Sequence, residues 1–172
     1  MVQISRKFLL VIFLVFFNSS VVLSFPHYST ICAQLEEIPG WDSDKCEGMN
    51  VQGTPMGNMV SAQKKYTKGN KQVDVAVFSG MNAMGMWAPY QNNMQVDSTE
   101  RFIKVTKING YNVAISYEKK DKAGGIIIGF NSKKNPGMVD AVLVFNFSNM
   151  HWKDGLEFAK KFDWDKIREL FK

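Results

Sequence analysis

Asn109-Gly110 stands between two runs of alternating polarity, Arg101 to Ile108 and Tyr111 to Lys119, and it constrains the fold more than any other feature of the chain. The two central residues of a type I′ turn both need positive φ, which asparagine and glycine adopt at little cost. The flanking runs are therefore predicted to be adjacent antiparallel strands. Tyr111, Val113, Ile115 and Tyr117 alternate with smaller or polar residues, so one face of that strand is buried and one is not. An earlier pair repeats the arrangement. Met59 to Thr67 and Gln72 to Ser79 flank Lys68-Gly69-Asn70, and Val73, Val75 and Val77 point one way.

Gly125 to Phe130 and Asp140 to Phe147 read as two more strands, separated by the turn-prone Asn135-Pro136-Gly137. Val142 and Val144 on one side, with Leu143 and Phe145 on the other, mark the last as a central strand covered on both faces. Gly80 to Met94, broken by Gly85 and Pro89, reads as a short helix followed by a loop. Near the C-terminus the period becomes helical. Trp152, Leu156 and Ala159 share a stripe that Phe158 and Phe162 adjoin, and a second short helix, N-capped by Asp163, carries Ile167, Leu170 and Phe171. Strands linked by hairpins and followed by helices predict an α+β fold. Its expected form is an antiparallel sheet of about five or six strands, with a methionine-rich helical insert and a C-terminal helix packed on one face.

The N-terminus carries a different signal. Arg6 and Lys7 precede an apolar run from Phe8 to Phe17, and Val22 and Ser24 supply small residues at positions −3 and −1 of a cut before Phe25. A retained anchor is the alternative, but it needs roughly twenty apolar residues. Asn18, Ser19 and Ser20 interrupt the run before that length. The expectation is a cleaved signal peptide over residues 1–24 and a protein that is secreted or periplasmic. Loss of Arg6 and Lys7 lowers the formal charge from +5 to +3. The lysine groups Lys64-Lys65, Lys119-Lys120-Lys122, Lys133-Lys134 and Lys160-Lys161 then read as strand ends and a helix face. Nucleic acid is not an expected partner, while weak association with anionic membrane surfaces stays open.

Cys32 and Cys46 are the only cysteines, and in an oxidising compartment they are expected to form a disulfide. Their spacing is far from that of a thiol oxidoreductase. Pro26, Pro39-Gly40, Gly48, Gly53 and Pro55 make residues 25–57 a stapled, mostly irregular lead-in, with one helical turn around Ala33 to Glu37. Residues 58–172 are then a single α+β domain.

The order Ile38-Pro39-Gly40-Trp41, hairpin, helical insert, further antiparallel strands and C-terminal helix resembles the layered Mog1/PsbP-like domains and small exported bacterial proteins of unknown function. That resemblance covers most of the chain after residue 24 and implies a binding or accessory module. It carries no catalytic residue over.

The residues themselves give no catalytic set. His27 lies beside the expected cleavage site in an irregular segment and His151 at the start of the C-terminal helix, and no nucleophile elbow, phosphate loop, dinucleotide glycine pattern or zinc helix motif is present. Glu36-Glu37 and the pair Asp163 and Asp165 read as solvated charges and caps. Asn146-Phe147-Ser148 has the form of a glycosylation sequon, but in a buried strand it reads as chance. Trp164 and Phe171, near the chain end, could leave an apolar patch.

The sharper candidate is Met81-Asn82-Ala83-Met84-Gly85-Met86-Trp87, with Met49, Met56, Met59 and Met94 nearby in sequence. Methionine is an adaptable filler of irregular interfaces, and in quantity it also suits a partner or apolar-ligand surface. Thioethers are in addition soft ligands for Cu(I) or Ag(I). The leading expectation is a non-enzymatic exported module that binds an envelope or extracellular protein, or a small apolar ligand, through Met81, Met84, Met86 and Trp87, with no cofactor. The alternative is a copper or silver site at Met81, Met84 and Met86.

Overall fold

The computed structural model describes residues 25–55, 57–92, 94–132 and 135–172. The proposed cut at Ser24, the apolar leader, Met56, and Lys133-Lys134 lie outside the described residues. Helix α1 (Tyr28–Cys32) comes first, followed by β1 (Asp42–Ser43), β2 (Glu47–Val51), β3 (Met59–Lys68) and β4 (Lys71–Ser79). Helix α2 (Met81–Trp87) runs into a 3-10 turn at Ala88–Tyr90. Then come β5 (Gln95–Asp97), β6 (Arg101–Ile108), β7 (Tyr111–Glu118), β8 (Ala123–Asn131), β9 (Val139–Ser148), α3 (Trp152–Ala159) and α4 (Trp164–Glu169).

The six expected strands are present, joined as predicted through Gly69-Asn70 and Asn109-Gly110, where Gly69, Asn109 and Gly110 have positive φ. All pairings are antiparallel, in the order β1-β3-β4-β9-β8-β7-β6-β5, and β2 lies further along the outer edge of β3 than β1. Strand β9 is central, between β4 and β8. The sheet has nine strands rather than five or six. The additional ones, β1, β2 and β5, are short edge pieces whose side chains are mostly exposed, so no apolar alternation marks them in sequence.

The lead-in is also more regular than expected. Its helix is Tyr28–Cys32 rather than a turn at 33–37, and β1 and β2 extend the sheet. Ile31, Leu35 and Ile38 are buried in the main core. Cys32 and Cys46 are joined in a disulfide, with Cα atoms 5.7 Å apart. Lys64, only 8% exposed, fastens the segment from beneath. Its ammonium donates to the Leu35 carbonyl at 3.1 Å and to Glu37 Oε1 at 2.6 Å, and Tyr66 Oη donates to the Glu36 carbonyl at 2.8 Å.

The main core lies on one sheet face. Val73, Val75 and Val77 of β4, Leu143, Phe145 and Phe147 of β9, and Ile126, Ile128 and Phe130 of β8 meet α1, α3 and α4 there. Phe158 and Phe162 make ring contacts with Tyr66 and Phe145. The buried stripe of α3 is Gly155, Phe158 and Ala159, whereas the expected Trp152 and Leu156 are only partly buried. Gly155 explains the shift, because a Cβ there would stand 2.8 Å from Phe147 Cδ1, and its absence lets the helix rotate that side onto β9. Trp164 is buried as well, its indole N–H donating to the Ala159 carbonyl at 2.8 Å. The chain end therefore leaves no open patch at that residue.

Candidate functional site

The opposite face of the sheet is built from the other half of the alternation. Val142 and Val144 of β9, Ile127 of β8, Ala114 of β7 and Phe78 of β4 form a smaller apolar cluster, on which α2 lies. Gly80 starts that helix at φ +71°, and a Cβ there would come within 2.6 Å of the Asn58 carbonyl oxygen, so the entry turn requires glycine. Ala83 and Trp87, four residues apart, point inward and are buried. The indole rests on the backbone of β8, where a Cβ at Gly129 would lie 3.3 Å from Cδ2 and Cε3.

One short helix covers only part of this face. The next row across the sheet, Lys65, Asp74, Asn146, Gly125 and Ser116 in cross-strand register, is polar and lies beyond it. Asn146 is exposed, since its neighbours Phe145 and Phe147 point into the core and it faces the other way, which corrects the buried placement expected for the sequon asparagine.

The methionines of α2 do not converge. Residues two apart on a helix are separated by roughly 200° about its axis, so Met84 and Met86 occupy opposite flanks. Met86 is partly buried and lines a groove of about 400 Å³ with Ala76, Phe78, Asp74 and Asn146. Met84 lines another, of about 260 Å³, with Trp87, Gln91, Asn135, Met138 and Val139. Met81, one turn before Met84, is exposed. The expected set is thus split, with Met86 in the first groove, Met84 and Trp87 in the second, and Met81 exposed outside both. Met138 enters the second from the turn before β9, a position that sequence reasoning missed. Its only sequence signal is an apolar residue following Asn135-Pro136-Gly137.

Several titratable residues outside the grooves hold structure. His27 and His151 cap α1 and α3, each Nδ1 accepting a backbone N–H, at 3.3 Å from Ser29 and 3.2 Å from Lys153. Asp163 caps α4, and the N–H of Lys166 holds its carboxyl below the usual range. Hydrogen bonds from Lys64 and then Ser43 lower the Glu37 carboxyl. Burial raises the Tyr111 phenol, and its hydrogen bond to Asp165 raises it further. Among the described residues no group of three or more His, Cys, Asp or Glu side chains could hold a metal ion, and no helix is long and apolar enough to cross a membrane.

No family model matches the chain, and no curated protein or solved structure is significantly similar to it.

Proposed function

We propose that the protein is an exported, non-enzymatic binding module whose ligand or partner engages the groove between α2 and the turn before β9. The observation that carries this reading is the lining of that groove: Met84, Trp87, Met138 and Val139 give it apolar walls, and Gln91 and Asn135 a neutral polar rim. Among the described residues its lining contains no titratable side chain, as suits a binding surface better than a reaction centre. Export is supported by the leader pattern of residues 1–24 and by the Cys32 to Cys46 disulfide. An accessory role is also what the resemblance to Mog1/PsbP-like domains implies.

An environment-sensitive apolar dye, titrated into the purified chain, tests the groove. Dye fluorescence is expected to rise and saturate, and a Met84→Glu/Met138→Glu variant that stays folded is expected to lose the response. An unchanged response in the variant rejects the groove. N-terminal sequencing of protein recovered after cell fractionation tests export, with Phe25 as the expected first residue.

A further inference from the structure

The apolar exposure of this protein is chemically selective. Among the described residues the exposed large apolar side chains are Met49, Met81, Met84, Met94, Met138 and Val96, and no leucine, isoleucine or phenylalanine is among them. Leucine and isoleucine bury comparable apolar area, so what sets this exposed set apart is the flexible, polarizable thioether. In the α2 groove two of these methionines come together from separate parts of the chain. Met84 comes from the helix and Met138 from the turn before β9, each 39% exposed, and the Trp87 indole lies in the same wall.

This geometry points to a soft monovalent cation, Cu(I) or Ag(I), as the ligand of the groove, held by the thioether sulfurs of Met84 and Met138 beside the Trp87 ring. It rests on the groove reading above and names the ligand class for it. Thioether sulfur is neutral, polarizable and unprotonated at any physiological pH, so it suits a soft ion. Among the described residues of this lining a harder divalent ion would find no carboxylate, imidazole or thiolate. An indole face within about 6 Å of a cation attracts it through the ring quadrupole. Met81 stands one turn back along α2 and is 48% exposed, so it is the residue placed to supply a third sulfur. Met86, on the opposite flank, is not a ligand in this arrangement.

The test is a titration of the purified chain with Ag(I) in chloride-free buffer, and anaerobically with Cu(I) against a chromogenic Cu(I) chelator. The wild type should show one saturable step whose midpoint does not move between pH 5.5 and 7.5, because no ligand loses a proton. Met84→Leu/Met138→Leu keeps the shape and apolarity of the walls and removes the sulfurs. It should weaken uptake at least about tenfold while leaving the dye response intact. Met81→Leu should weaken uptake less, and Met49→Leu/Met94→Leu not at all. Equal uptake by the Met84/Met138 variant and the wild type overturns the proposal, as does loss of uptake in the Met49/Met94 control. If the wild type takes up no metal but still binds dye, the cation is wrong and the groove stands. Absence of both responses removes the two readings together.

Discussion

The two faces of the sheet are covered by different means. On the first, α1, α3, α4 and the segment around Leu35 to Ile38 bury a continuous core around Tyr66, Phe145 and Phe158. On the second, a single helix of seven residues, Met81–Trp87, sits on a smaller apolar cluster, and the polar row from Lys65 to Ser116 is left beyond it. Alternation supplies both faces with side chains, but only one has enough chain to cover it. Stability should reside in the first face, and the second should tolerate change at its rim and carry recognition.

Phe145→Ala should break the first face most severely. It removes a fully buried ring from the central strand, and about 3–5 kcal/mol of stability should be lost in urea unfolding. A loss below about 1 kcal/mol there would show that the core is not where the fold is held. Cys32→Ser/Cys46→Ser releases the lead-in from the same face and should cost about 3 kcal/mol, read the same way.

Glu37 gives a smaller, pH-dependent effect. Its folded carboxyl is held below the usual 4.5 by Lys64 and Ser43, so the contribution is present above that value and lost as pH falls through the lower folded one. The stability advantage of wild type over Glu37→Gln should therefore be larger at pH 7 than at pH 3. An advantage that grows on acidification would contradict the Lys64 pairing. On the second face, Met84→Leu should change stability by no more than about 0.5 kcal/mol. If it unfolds the protein as Phe145→Ala does, the distinction between the faces fails.

The sequence makes the interior of the sheet legible and its margins obscure. Strands β3, β4, β6, β7, β8 and β9 are read from period-2 alternation and from two glycine-asparagine turns. Strands β1, β2 and β5 have little buried surface, so pairing with a neighbour defines them and no local pattern does. The stripe of α3 is misread because a glycine, Gly155, supplies the close contact that an apolar side chain was expected to supply. The candidate site is half legible. Helical spacing places Met81, Met84 and Trp87 along one side, but the same spacing separates Met86 from Met84. Only tertiary pairing brings Met138 to the helix.

The central position of β9 also sets the order in which the molecule can be completed. Residues 72–79 pair with 141–148, so the hairpin β3-β4 keeps its inner edge open until those later residues are available. That edge carries Val73, Val75 and Val77, an apolar and strongly strand-forming segment with nothing yet beside it. A chain cut after Met138 would hold two partial sheets with no strand to join them, and its open edges would favour pairing between molecules. The single sheet thus cannot be completed before β9 is present, and β9 is the piece that turns two separate sets of strands into one sheet.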